Sequence, residues 1–169
     1  MLRLLGLDPG LGVTGWGVIA TAGSRLSPLA CGAIKTDSSA SVPERLRTLH
    51  QELSRLLALY APEEAAIEET FVNRNGAASL KLGYARGVAL LAPALAGIPI
   101  AEYAARTVKQ AVVGTGAASK HQVAMMVRCL LPGVLFQQAD AADALAVAIC
   151  HAHHRSTRSV WAAADRRHM

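Results

Sequence analysis

Aromatic side chains make up 4% of the 169 residues, so stacking on nucleobases cannot be spread over many positions. Long apolar runs are missing as well. The chain is 52% hydrophobic, yet no stretch of eighteen apolar residues occurs, which argues against a helical membrane span. Three cysteines, Cys31, Cys129 and Cys150, are an odd number without C-x-x-C spacing. That excludes the usual zinc and disulfide frameworks and predicts buried thiols in a reducing cytoplasm. The start, MLRLLGLDPG, has no signal-peptide cleavage pattern and reads as a strand. No internal repeat or linker is visible, and the length fits one domain with a sizeable core.

Charge is unevenly placed. The net charge is +5, but residues 1–70 carry −2, residues 71–138 carry +6 and residues 139–169 carry +1. Between 103 and 139 there is no acid at all, while Arg106, Lys109, Lys120 and Arg128 fall there. A basic middle between acidic flanks suits a polyanion lying across a carboxylate cluster.

Hydrophobic periodicity predicts the order βββ-α-β-α-β-α-α, closed by one more helix. LRLLGLD (2–8), GVTGWGVIA (12–20) and LSPLACGAIKT (26–36) read as strands with short connections, hence antiparallel. Gly15 and Gly17 would let a backbone or ligand approach closely. From Leu46 to Tyr60 the apolar residues adopt helical spacing, with Ser41 and Glu44 as a capping box and Pro62 as the stop. EAAIEETF (64–71) and IPIAEY (98–103) read as strands. Residues 79–97, 106–114, 119–131 and 139–154 read as helices, the third opened by a second capping box, Ser119 and Gln122. Gly83 and Gly87 leave small residues on one helix face, available to internal packing or to a dimer. The expected fold is therefore α/β: a mixed five-stranded sheet, three antiparallel strands and then strand–helix units, with helices on both faces. Residues 1–155 would form the domain and 156–169 a flexible C-terminal tail.

Several carboxylates lack an obvious structural use. Asp8 closes an apolar strand, although it could simply open the Asp-Pro-Gly turn. Glu68 and Glu69 point to opposite faces of their strand, and alternation does not choose between them. Asp140 and Asp143 head a very apolar helix, three apart and so on one face. Acids there favour the helix dipole, but two bare charges about 4 Å apart repel by about 4 kcal/mol at an effective dielectric of about 20. Gathered with Asp8 and Glu68 they would need cations. An all-carboxylate set favours Mg²⁺ or Mn²⁺, and two such ions suit phosphodiester hydrolysis.

These segments are also similar to a known family. LGLDPGLGVTGWGVI, AIEETF, SLKLGYARGVAL, EYAARTVKQAVVGTGAASKHQV and QADAADALAVAI, in this order from about Leu4 to His151, resemble the RuvC crossover junction endodeoxyribonucleases, Holliday-junction resolvases of ribonuclease-H-like fold. The resemblance implies symmetric metal-dependent cleavage of four-way junction DNA in recombination and repair, by a homodimer working with a branch-migration motor. It implies that Asp8, Glu68, Asp140 and Asp143 are catalytic and hold two Mg²⁺ or Mn²⁺ ions, and so selects Glu68 over Glu69. It matches Phe71 to an aromatic used against junction bases, and Lys109 and Lys120 to residues facing the DNA backbone. Arg74 and Lys81, beside the site, are assigned DNA contact with them. Thr70 departs from the aliphatic residue expected there, and the segment after His154 matches nothing in the family.

Other features have plainer readings. His151, His153 and His154 are expected to be exposed or to complement a helix C-terminus; Met125 and Met126 are expected in the core, and Glu102 at a surface strand end. The first two strands also resemble the phosphate loop of sugar kinases and actin-like ATPases, but those proteins need a second similar domain for which this chain has no room. A non-catalytic junction binder of the same fold would not need all four acids.

Overall fold

The apolar run at 2–8 forms β1 (Leu2–Asp8), the middle strand of the sheet. This is a computed structural model, and it describes residues 1–69 and 75–165. β2 (Val13–Ala22) and β3 (Arg25–Lys35) continue antiparallel from β1, with a register shift at Val18/Ile19. On the other side β4 (Glu64–Glu69) and β5 (Ile100–Ala104) add in parallel, giving the order β3-β2-β1-β4-β5. This mixed five-stranded sheet agrees with the architecture expected from the sequence.

Side-chain alternation assigns each face a layer. Leu5, Leu7, Val18, Ala65 and Ile67 pack against α1 (Val42–Tyr60) and α2 (Gly76–Leu95). Leu4, Ile19, Ala66 and Tyr103 pack against α3 (Ala105–Val113), α4 (Lys120–Leu130) and α5 (Ala139–Asp165). Both expected capping boxes form: Ser41 N–H donates to Glu44 Oε2 at 2.9 Å, and Ser119 N–H donates to Gln122 Oε1 at 2.8 Å.

Helix α5 is buried almost all round, from Ala141 to Cys150, because it lies directly on the sheet. That position explains its alanine content. Gly6 and Gly17, cross-strand partners, face it: a Cβ on Gly6 would overlap the Ala144 carbonyl oxygen, and one on Gly17 would stand 2.7 Å from Leu145 Cδ2. Small residues on both sides let backbone approach backbone, the close-approach use of strand glycine.

Some expectations are corrected. α5 does not end near His154, as the composition suggested, but runs to Asp165. Cys150 is buried, but Cys31 is half-buried and Cys129 exposed. Met126 packs on the core, whereas Met125 is exposed. His151 is buried rather than exposed: its Nδ1 lies 2.9 Å from Tyr103 Oη and its Nε2 2.8 Å from Glu64 Oε2, fastening α5 to β4 and β5. A histidine in a run of alanines gave no hint of these partners, which come from strands 48 and 87 residues away in sequence.

Candidate active site

Alternation along β1 turns Leu4, Gly6 and Asp8 toward α5; along β4 it turns Glu64, Ala66 and Glu68 the same way. The parallel register pairs Leu7 with Ile67, so Asp8 and Glu68 come side by side at the carboxyl ends of neighbouring strands. That is where open α/β sheets present their functional groups. The choice between Glu68 and Glu69, open from alternation alone, is decided by where α5 lies; Glu69 is exposed but still reaches the edge of the same cleft.

The third contribution comes from α5. Gly15 is the cross-strand partner of Asp8. A Cβ on Gly15 would overlap the Asp140 carbonyl oxygen and stand 3.1 Å from Asp140 Cβ. The missing side chain therefore seats the first turn of α5 beside Asp8. The Asp8–Pro9–Gly10 turn is held by the buried Thr14, whose hydroxyl donates to Gly10 O at 2.7 Å and accepts from Gly10 N–H at 3.2 Å.

The result is a cleft of about 350 Å³ lined by Asp8, Glu68, Glu69 and Asp143 among the acids and by Lys109 and Lys120 among the bases. Asp140 is half-buried and does not line the cleft, but its charge still acts on Asp8. Burial first, then the carboxylates of Glu68, Asp143 and Asp140, push the Asp8 carboxyl up to about 7, with Lys120 opposing. Burial and the Asp143 charge also raise Glu68. Lys120 Nζ sits 2.9 Å from Asp143 Oδ2, and this bonded pairing raises the lysine. Lys81 is exposed on α2 outside the cleft. Phe71 and Arg74 lie outside the described residues.

The donor set is hard oxygen throughout, the type that suits Mg²⁺ or Mn²⁺. Among the described residues no three carboxylate, imidazole or thiolate groups stand close enough together to hold one ion as arranged. Lys120 occupies Asp143, so a cation binding there would have to displace its ammonium. The chemistry of the residues fits a divalent ion, which would offset both the burial that chiefly raises Asp8 and the repulsion from the carboxylates around it.

Arg86 was not anticipated. Its Nη1 donates to the Glu68 carbonyl oxygen at 2.7 Å while Nη2 pairs with Glu102. The sequence held a weak signal for it: the one arginine of α2 stands beside the buried positions Ala85 and Ala89.

A five-stranded sheet ordered β3-β2-β1-β4-β5, with acids at the ends of β1 and β4 and on the helix that crosses them, defines a protein of the ribonuclease-H-like class. The family model for crossover junction endodeoxyribonuclease RuvC matches residues 4–151, and the chain belongs to that family. The RuvC protein of Granulibacter bethesdensis is 67% identical over 161 residues, covering 95% of this chain and 90% of that one. That of Gluconacetobacter diazotrophicus is also 67% identical, covering 93% and 94%. Among solved structures, Thermus thermophilus RuvC in complex with a Holliday junction substrate superposes with a TM-score of 0.86 at 34% identity, over 93% of this chain and 96% of that one. The yeast mitochondrial Holliday junction resolvase, at 15% identity and a TM-score of 0.63, covering 88% and 77%, shares the fold.

Proposed function

We propose that Asp8, Glu68, Asp140 and Asp143 form the hydrolytic centre through which this crossover junction endodeoxyribonuclease resolves four-way DNA junctions in recombination and repair. One observation carries the reading. Three of these acids, drawn from two strands and a helix, converge in one cleft, where burial first and then the charges of the neighbouring carboxylates lift Asp8 to about 7. Buried, strongly raised carboxyls facing other acids in a cleft are characteristic of functional sites, and a cation held there would offset the charge.

The acids would hold two divalent ions, Mg²⁺ or Mn²⁺. When bound, such ions neutralise charge on the phosphate and lower the pKa of water. The rest of the work falls to the chain. Glu68 and Asp8, fixed on adjacent strands, would hold the ions in a set place, and the scissile phosphate would be oriented against those ions. Lys109 and Lys120 hold the flanking backbone; displaced from Asp143 when a cation binds, the Lys120 ammonium would be free to take a phosphate oxygen. Phe71, directly after β4, would stack on an unpaired base, with Arg74 and Lys81 on the approaching strand. The catalytic unit is residues 1–155, working in the cytoplasm beside a branch-migration motor.

The decisive assay is single-turnover nicking of a synthetic four-way junction. Symmetric nicks with Mg²⁺ and none with EDTA are expected; binding without nicking under both conditions would leave a non-catalytic junction binder. Lys120→Ala should weaken junction affinity and lower the slope of log K against log salt by about one. An unchanged slope would rule out the phosphate contact.

A homodimer would place two such centres on one junction. Leu80, Tyr84, Leu91 and Leu95 are exposed along one side of α2, where Gly83 and Gly87 also open to free space. Side chains at these spacings share a helix face. Leu91→Arg on that face should give a monomer by light scattering after size exclusion. A variant that remains dimeric would move the interface elsewhere.

A further inference from the structure

Arg86 reaches the end of β4 from the side opposite the cleft. Glu102 lies on the sheet face that meets α2, and Glu68 turns its carboxylate toward α5. The guanidinium therefore does not touch the Glu68 carboxylate. It grips the residue by its backbone carbonyl, at 2.7 Å, and is itself held by the Glu102 carboxylate.

The register makes this grip consequential. The β1–β4 ladder ends at Leu7 and Ile67, so Glu68 extends past its last pair with β1. On the other flank Ile67 is level with Glu102, and Glu68 with Tyr103. The Arg86 fork thus spans β4 and β5 where the support from β1 gives out. The Arg86 side chain is 19% exposed, so the bonds are largely shielded from water, whereas Glu102 is 45% exposed. A planar guanidinium can serve a carbonyl and a carboxylate at once; a lysine ammonium, a point charge on a flexible stem, cannot hold the same fork.

We propose that Arg86, held by Glu102, is a positioning residue that fixes the backbone of Glu68 and so aims its carboxylate into the hydrolytic centre. The inference rests on the reading of Glu68 as a metal-holding acid. Groups that orient a ligand typically change metal affinity or activity by about 10–100-fold when removed. The effect should therefore appear in metal binding before any DNA is present.

The test compares Arg86→Ala, Arg86→Lys, Glu102→Ala, the double alanine variant and Glu68→Gln. Mn²⁺ affinity is measured by titration calorimetry without DNA, junction affinity in Ca²⁺, and single-turnover cleavage across a Mn²⁺ series. Arg86→Ala should weaken Mn²⁺ binding and slow cleavage about 10–100-fold. Its junction affinity should be unchanged, and excess Mn²⁺ should restore part of the rate. Arg86→Lys should fall between wild type and alanine. Glu102→Ala should shift both quantities in the same direction by less, and the double variant should be no worse than Arg86→Ala. Because Glu102 is partly exposed, its variant keeps the test readable even where Arg86→Ala fails to fold. If Glu68→Gln is inactive but the Arg86 and Glu102 variants match wild type in Mn²⁺ affinity and rate, the positioning role is wrong and the hydrolytic centre stands. Additive losses in the double variant would likewise overturn the coupling. If Glu68→Gln remains active, both the positioning role and the assignment of Glu68 fall together.

Discussion

Asp8→Asn should reduce junction cleavage by at least about 10²–10³-fold, the usual scale for removing one preorganised electrostatic group from a reacting centre. Junction affinity should remain near wild type, because in the proposed reading the phosphate contacts that position DNA come from Lys109 and Lys120 rather than from the acids. The same substitution should stabilise the metal-free protein. The Asp8 carboxyl is raised from 3.8 to about 7, chiefly by burial and then by Glu68 and Asp143. A raised carboxyl contributes its stability fully below pH 3.8, where it is protonated in both the folded and unfolded states. As pH rises, the unfolded chain ionises first, and the contribution is lost by the time pH passes about 7. The ceiling on that loss is about 4 kcal/mol, from roughly three pK units at 1.36 kcal/mol each. In EDTA at pH 8, Asp8→Asn should therefore melt well above wild type, and the two should converge near pH 4. Mn²⁺ should raise the melting temperature of wild type at pH 8 and do little for the variant. A variant that melts at or below wild type at pH 8 would show that Asp8 is not under electrostatic stress.

Gly15→Ala should damage stability and catalysis together. A methyl group there overlaps the Asp140 carbonyl oxygen, which is backbone and cannot rotate away. The first turn of α5 must lift off β2, at a cost of about 1–3 kcal/mol for an overpacked contact. Asp140 and Asp143 would then retreat from Asp8, and a displacement of about 1 Å at a reacting site is worth about 10²-fold in rate. Thermal melts and single-turnover rates check both parts. An alanine variant as active and as stable as wild type would mean that α5 does not rest on β2 at this point.

Much of this arrangement can be read in the chain because it rests on short periods. A continuous apolar run closed by the Asp8-Pro9-Gly10 turn marks β1, and the Ser41–Glu44 and Ser119–Gln122 boxes mark helix starts that form as read. Gly15 and Gly17 announce a close approach, while what approaches them, helix α5, is known only from the structure. What stays hidden depends on residues brought together from a distance. Glu68 cannot be told from Glu69 until α5 is known to lie on one face. His151 reads as an exposed helix end because its partners, Tyr103 and Glu64, come from other strands. Arg86 draws no reading from the sequence, since neither the Glu68 carbonyl nor Glu102 can be placed near it by spacing. Helix ends are equally opaque: the polar composition after Arg155 suggests a tail, yet α5 continues to Asp165.

Anomalous scattering from a crystal soaked in Mn²⁺, with Ca²⁺-free protein and no DNA, probes the hydrolytic centre most directly. Manganese peaks coordinated by Asp8, Glu68 and the Asp140–Asp143 turn, with the Lys120 ammonium withdrawn from Asp143, are the expected result. Saturating Mn²⁺ that leaves no peak among these acids, or that binds elsewhere while Lys120 keeps its hold on Asp143, would contradict it.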